Sequence, residues 1–196
     1  MKYLLILLML FVSITNLFSQ SQLIQGFVEE NIIGASHFGW SVSTAGDVNN
    51  DGFDDVIVGA YYYNSRRGRA YIYYGSSSMD NKADVTFGEG PENFGSSVST
   101  AGDVNNDGFD DVMVGAPGGS GRAYIYYGGS SMDNTADVTF DSEGSSNYFG
   151  YSVSTAGDVN NDGFDDVIVG AYGYNGSTGR AYIYYGDSSM DNTADV

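Results

Sequence analysis

A nine-residue acidic segment occurs three times in the chain, and its residue types suit a cation-binding loop. In the first copy, Asp47, Asn49 and Asp51 stand at positions 1, 3 and 5, and Gly52 stands at position 6. The calcium loop of an EF-hand opens in the same way, with alternating oxygen side chains that converge on one ion and a glycine that permits the sharp turn. Ca²⁺ takes hard oxygen ligands, several of them ionised. The spacing therefore predicts a calcium site in each copy of the segment.

Position 12 separates this segment from an EF-hand loop. An EF-hand has a bidentate Glu there, whereas this chain has Val58, Val114 and Val169, each inside a predicted strand. We therefore assign the bidentate ligand to the aspartate at position 9 and a main-chain oxygen ligand to the phenylalanine at position 7. One Ca²⁺ per repeat, three in the chain, would be held by Asp47, Asn49, Asp51, Phe53 and Asp55; by Asp103, Asn105, Asp107, Phe109 and Asp111; and by Asp158, Asn160, Asp162, Phe164 and Asp166.

A hairpin turn without a metal is the alternative interpretation of the acidic segment. Asn-Asp-Gly favours a turn, and the other acids would then be solvated. A turn explains Asp51 and Gly52 but not four carboxylates within nine residues, which repel one another without a cation. Mg²⁺ fits less well than Ca²⁺ because it requires a stricter octahedron and retains its waters. The aspartates at position 8 (Asp54, Asp110 and Asp165) are expected to point outward.

Each acidic segment belongs to a longer repeated unit. Ser41–Ala60 recurs at Ser97–Ala116 with one substitution and at Ser152–Ala171 with none, and each copy is followed by GRAYIYYG and then by a segment that begins with MDN. Self-similarity at a period of about 55 residues is typical of solenoids, propellers and arrays. The repeat is therefore the unit of the fold.

Local patterns predict four short strands in each unit. The segments VIVGA and AYIYY are β-branched and aromatic and are bounded by turn residues. Ala83–Phe87 alternates apolar and polar residues, and Ser41–Ala45 is a weaker strand of small residues. We expect an all-β fold, a β-propeller of four-stranded antiparallel blades. A parallel β-helix is the competing repeat fold.

The first 20 residues have the layout of a secretory signal peptide. Lys2 precedes the apolar run Leu4–Val12, which is well short of the ~20 residues that a membrane-spanning helix needs. An uncleaved N-terminal anchor is the alternative. We expect the chain to be secreted or displayed at the cell surface.

Composition excludes several classes of site and partner. With no cysteine, the chain has no disulfide, no thiolate metal site and no cysteine nucleophile. Its 25 acidic and 7 basic residues give a net charge of −18, which repels nucleic acid. His37 is the only histidine, and no serine has the motif of an activated nucleophile. We expect that the chain is not an enzyme.

The flanks of the acidic segment identify a known repeat. Phe38-Gly39 precedes the first copy and Gly59-Ala60 closes it; the second unit has Phe94-Gly95 and Gly115-Ala116-Pro117, and the third opens with Phe149-Gly150. Together with the acidic loop, these residues resemble the FG-GAP repeat of integrin α-subunit propellers over about residues 21–196. The resemblance implies an extracellular propeller of about seven blades, calcium in hairpin loops on one face, and a role in adhesion and ligand recognition.

The predicted organisation is a signal peptide at 1–20 and FG-GAP repeats at 21–196. The repeats extend over about 38–87, 94–140 and 149–196, with 21–37 as a leading outer strand and loop. Closed propellers have about four to eight blades, so three repeats predict a partial propeller. Open sheet edges would then favour self-association that completes the ring.

The loops that differ between repeats predict where a ligand would bind. In a four-stranded meander, the loops between strands 2 and 3 and the loops between blades lie on the face opposite the acidic loops. All length differences between the repeats fall in these loops, and recognition scaffolds vary their loops on a constant frame. Candidate contact residues are Tyr61, Tyr62, Tyr63, Arg66, Arg67, Tyr172 and Tyr174. Neutral drift of exposed loops is the alternative.

Three functions remain open from the sequence. The first is a secreted or cell-surface calcium-binding module that recognises an extracellular protein or carbohydrate. The second is a calcium-stabilised propeller fragment of a larger extracellular enzyme that processes polysaccharide or lipid. The third is a purely structural array.

Overall fold

The computed structural model describes residues 35–88, 90, 93–144 and 146–196. The predicted signal peptide at 1–20 and nearly all of the predicted leading segment at 21–37 lie outside the described residues. The fold is therefore described from residue 35 onward.

The described residues form eleven strands, in agreement with the all-β prediction. They are β1 (Ser41–Gly46), β2 (Asp55–Ala60), β3 (Arg69–Tyr73), β4 (Val85–Phe87), β5 (Ser97–Gly102), β6 (Asp111–Ala116), β7 (Arg122–Tyr126), β8 (Val138–Asp141), β9 (Phe149–Gly157), β10 (Asp166–Ala171) and β11 (Arg180–Tyr184). Two four-residue turns whose central residues have positive φ, here labelled α1 (Tyr63–Arg66) and α2 (Tyr174–Ser177), lie between the second and third strands of their units. No helix within the described ranges has the length and apolar character of a membrane span.

The strands form three antiparallel sheets, one for each repeat. We call them blade 1 (β1–β4), blade 2 (β5–β8) and blade 3 (β9–β11), and within each blade the strands pair in sequence order. In blade 3, the Ile183 N–H donates to the Val196 carbonyl at 3.0 Å, so the last residues follow the path of a fourth strand. The predicted meander is confirmed.

Register is the same in corresponding strands. Val42 lies opposite Val58 in blade 1, and Val98 lies opposite Val114 in blade 2. The register shifts at the end of each first strand, where a glycine with positive φ, such as Gly46 at +79°, begins the acidic loop. The bulge thus sets the direction in which the loop leaves the sheet.

The cores lie between consecutive blades. We call the side of a blade that packs on the following blade its trailing face, and the side that packs on the preceding blade its leading face. In blade 2, Met113 and Ile125 belong to the trailing face, while Val114 and Tyr126 belong to the leading face, as the strand period of 2 requires. Each interface buries an aromatic pair with ring centroids 4.0 Å apart: Phe87 with Tyr126, and Phe140 with Tyr184.

Candidate functional site

The acidic loop of blade 1 turns its side chains inward onto its own backbone. The Asp47 carboxylate accepts hydrogen bonds from the backbone N–H groups of Asp51, at 3.0 Å, and Gly52, at 2.8 Å. The Asn49 side-chain oxygen accepts from the same Asp51 N–H at 3.0 Å. Positions 1 and 3 therefore converge on one point, and the loops of blades 2 and 3 repeat the arrangement.

Position 5 closes the turn. The Asp51 carboxylate accepts from the Phe53 N–H at 3.0 Å and from the Asn49 side-chain amide at 3.1 Å. Asn50 and Gly52 have positive φ values of +55° and +91°, a conformation that Asn and Gly adopt more readily than other residues. The Asn-Asp-Gly sequence thus gathers three of the predicted ligand side chains at one turn.

The aspartate at position 9 is buried at the base of the loop. Asp55 begins β2, and its carboxylate accepts from the Val48 N–H at 2.9 Å and from the Gly75 N–H at 2.6 Å. Gly75 follows β3, so one carboxylate joins two loops of the blade. Asp111 and Asp166 have the same two contacts in their own blades.

Burial and neighbouring carboxylates raise the pKa of the position-9 aspartate. The pKa of Asp111 is raised to about 8, first by burial and also by the Asp107 and Asp103 carboxylates, while hydrogen bonds from Gly128 and Val104 act to lower it. Burial also raises the pKa of Asp55. A cation among these oxygens would reverse the repulsion.

The donor chemistry of the loop fits Ca²⁺, but backbone amides organise the donors. Carboxylate and amide oxygens at positions 1, 3 and 5 lie on one turn above a buried carboxylate, the ligand types that Ca²⁺ takes. Among the described residues, no three His, Cys, Asp or Glu side chains are close enough together to hold a metal ion. The three ligand sets therefore remain predictions.

The prediction that the position-8 aspartates point outward is wrong for two of the three. The Asp110 carboxylate accepts from the Asp47 N–H of blade 1 at 2.8 Å, and the Asp165 carboxylate accepts from the Asp103 N–H of blade 2 at 3.1 Å. Asp54 alone among the three is exposed. These aspartates fasten each loop to the following blade, a contact that the sequence of a single repeat cannot reveal.

The loops opposite the acidic loops surround a cavity of about 240 Å³, here called the aromatic pocket. Its lining residues are Trp40, Tyr61, Asn93, Ser96, Pro117, Tyr148, Tyr151 and Tyr172. Tyr148 and Tyr172 stack with ring centroids 4.8 Å apart, and Trp40 lies 4.9 Å from Tyr61. All three blades contribute to the pocket.

The pocket is built from three equivalent positions of the repeat. One follows the Phe-Gly pair (Trp40, Ser96, Tyr151), one follows the Gly-Ala pair (Tyr61, Pro117, Tyr172), and one precedes the Phe-Gly pair (Asn93, Tyr148). The position after the Phe-Gly pair differs in all three repeats and the position after the Gly-Ala pair differs in the second, whereas the strands and acidic loops next to them are nearly identical. Part of the variation between the repeats thus surrounds one cavity.

Two of the seven predicted contact residues, Tyr61 and Tyr172, line the pocket. Tyr63 and Tyr174 instead lie beneath the guanidinium groups of Arg69, at 3.8 Å, and Arg180, at 3.9 Å. Arg66 lies over the ring of Tyr62. Neither these residues nor Arg67 lines the pocket.

The sequence-based candidates omit Trp40, Tyr148 and Tyr151. The signal that could have identified them is that the residues directly before and directly after the Phe-Gly pair differ from one repeat to the next.

Family comparison matches the FG-GAP repeat at residues 38–73, 94–126 and 149–184, which fall on blades 1, 2 and 3. The chain belongs to the FG-GAP repeat family. The predicted resemblance is confirmed.

Curated relatives of this FG-GAP chain are integrin alpha subunits. It is 36% identical to integrin alpha-5 of Xenopus laevis over 71% of the chain, 37% identical to integrin alpha-3 of Cricetulus griseus over 74%, and 34% identical to integrin alpha-8 of Gallus gallus over 89%. The chain spans between 15% and 18% of the length of these relatives.

Proposed function

We propose that this FG-GAP chain is a secreted or cell-surface calcium-binding module without enzyme activity. It recognises an extracellular protein or carbohydrate through the aromatic pocket, and it associates with further copies of itself. The observation that carries the proposal is that positions which differ between repeats surround one cavity, next to strands and acidic loops that are nearly identical.

Calcium would be held by the acidic loops, one ion in each repeat. In blade 1 the ligands would be the side chains of Asp47, Asn49, Asp51 and Asp55 and the main-chain oxygen of Phe53. The support is the inward orientation of three of these side chains and the raised pKa of buried Asp55, which burial causes and to which the negative charges of Asp51 and Asp47 add, so that positive charge is favoured there. When bound, the ion supplies that charge and stabilises the loop on which the following blade is fastened.

The aromatic pocket has the chemistry of a recognition site. Trp40 is 61% exposed, and Tyr151 and Tyr172 are also exposed, so flat apolar rings face the solvent. Tyrosine and tryptophan combine such a surface with one polar group, and the Asn93 and Ser96 side chains add hydrogen-bonding groups. The resemblance to integrin α-subunit propellers, whose members act in adhesion, points to the same class of function.

A binding screen tests the pocket directly. The purified chain would be applied to a panel of extracellular matrix proteins and to a glycan array, and hits would be titrated by following the fluorescence of Trp40, the only tryptophan of the chain. We expect the double substitution of Tyr61→Ala and Tyr172→Ala to weaken binding by about tenfold or more.

Tyr63→Ala is the matched control, because Tyr63 lies on α1 outside the pocket. Equal affinity of the double variant and the control for every hit would overturn the proposed site.

A further inference from the structure

Blade 3 has an apolar trailing face that nothing covers in the described part of the chain. Val159 is 51% exposed, whereas the equivalent Val48 and Val104 are fully buried against the following blade. Val196 is 67% exposed, whereas the equivalent Val85 and Val138 are buried. The same residue types are thus covered in blades 1 and 2 and uncovered in blade 3.

The polar groups beside this face also lack the neighbours that their equivalents have. In blades 1 and 2, a Cβ added to Gly46 or Gly102 would overlap Asp110 or Asp165 of the next blade, but no described atom lies near the corresponding position at Gly157. Ser152 is exposed. Its equivalents accept hydrogen bonds across the interface: Ser41 from the Val98 N–H at 3.0 Å, and Ser97 from the Val153 N–H at 3.1 Å.

Blade 1 exposes the matching half of the contact on its leading face. Val42 is 64% exposed, whereas its equivalents Val98 and Val153 are buried. Asp54 is exposed, whereas Asp110 and Asp165 bond to the preceding blade. Tyr71 and Tyr73 of blade 1 are the equivalents of Tyr124 and Tyr126, which blade 1 covers in blade 2, and both are already buried. The accessible part of the leading face of blade 1 is therefore β1 and the acidic loop.

We propose that the trailing face of blade 3 binds the leading face of blade 1 of a second copy, head to tail. The contact repeats the part made by the first strand and the acidic loop in the two contacts seen inside the chain. The Asp158 N–H would donate to the Asp54 carboxylate of the second copy, the Val42 N–H of the second copy would donate to the Ser152 hydroxyl, and Val159 and Val42 would become buried. This inference deepens the proposed self-association and does not depend on the ligand or on calcium.

A second copy is the occupant that the sequence supplies. Ser41–Ala60 is identical to Ser152–Ala171, so β1, the acidic loop and β2 of blade 1 carry the residues with which blade 3 binds blade 2. The described blades of two copies number six, within the range of about four to eight in closed propellers. Because each chain has a net charge of −18, we expect association to strengthen as salt screens the repulsion.

Two charge substitutions distinguish this contact from a symmetric one. Val42→Glu blocks the leading face and leaves the trailing face intact, whereas Val159→Lys does the reverse. We expect the unsubstituted chain to have the mass of two copies or a multiple of it by light scattering, and each variant alone to be monomeric. An equimolar mixture of the variants is expected to form a dimer with one copy of each, because one intact contact remains.

Ser188→Glu is the control, because this exposed residue of blade 3 lies outside the aromatic pocket, in the loop that contacts blade 2, and it is expected to assemble like the unsubstituted chain. Thermal melting and calcium titration of the monomeric variants verify that each one folds and show separately whether the acidic loops bind the ion. A monomeric unsubstituted chain, continued assembly of either variant, or a mixture that stays monomeric while the unsubstituted chain assembles would each overturn the proposal.

Discussion

At the scale of single residues, the aspartate at position 9 has the most demanding environment in the blade. The Asp111 carboxylate is fully buried and accepts from two backbone N–H groups, of Val104 and Gly128, that lie on opposite sides of it in the sequence. A buried donor that loses its acceptor keeps its full desolvation cost. The residue is therefore structural whether or not an ion is present.

Asp111→Asn is expected to lower the free energy of unfolding by about 1–3 kcal/mol. Asparagine keeps the size of the side chain but presents an NH₂ group to one of the two N–H donors. Chemical denaturation followed by circular dichroism measures the change. The exposed Asp80→Asn is the control and should change stability by less than about 0.5 kcal/mol; an equally small effect of Asp111→Asn would contradict the structural role.

Calcium is expected to raise the melting temperature of the chain. At ~100-fold excess over the dissociation constant, one site contributes about 2.7 kcal/mol, and we predict one site in each repeat. Thermal melting in millimolar Ca²⁺ and in chelator at matched ionic strength measures the difference, and Asp51→Ala should remove only part of it. Identical melting curves in both solutions would refute calcium binding.

At the scale of secondary structure elements, the strands can be predicted from the sequence, but the short turns and the contacts between blades cannot. Period-2 alternation and turn residues define the strands of each blade, because these signals are local. The turns α1 and α2 are too short to show a helical period. The hydrogen bond from the Asp47 N–H to the Asp110 carboxylate depends on how two blades pack. The sequence of one repeat therefore does not predict it.

Substitution of the glycine at the end of each first strand tests the packing between blades. Gly102 and Gly157 both have positive φ, +78° and +67°, so an alanine at either position carries a strain of roughly 1–2 kcal/mol. Gly102→Ala would in addition overlap the Asp165 side chain, whereas the space at Gly157 is open among the described residues. We expect Gly102→Ala to cost about 1–3 kcal/mol more than Gly157→Ala.

Denaturation at concentrations low enough to keep the chain monomeric measures both glycine variants. Equal losses would mean that the Asp165 side chain moves aside at no cost.

At the scale of the whole molecule, blades 1, 2 and 3 pack one after another, with a hydrophobic core between each blade and the next. Stability in such arrays is approximately the sum of the repeats and of the interfaces between neighbours. The aromatic pocket takes residues from all three blades, so its shape depends on both interfaces. The pocket could be predicted only in part, because residues such as Trp40 and Tyr148 meet only after the blades have packed.

Phe140→Ala is expected to cost about 3–5 kcal/mol, because it empties the interface between blades 2 and 3 where the ring meets Tyr184. It should also weaken ligand binding in the pocket, because the stacked residues Tyr148 and Tyr172 flank strands of blade 3 and depend on its position. Denaturation and the Trp40 fluorescence titration measure the two effects. Phe140→Leu restores much of the volume and should recover most of both; full ligand affinity in the alanine variant would separate the pocket from the interface.

The pocket positions next to the Phe-Gly and Gly-Ala pairs have a consequence for how such a chain can evolve. Exposed side chains such as Trp40, Tyr151 and Tyr172 lie outside both hydrophobic cores. Their replacement therefore leaves the fold nearly as stable as before. Duplication of a repeat followed by a few exchanges at these positions would give a new specificity on an old frame.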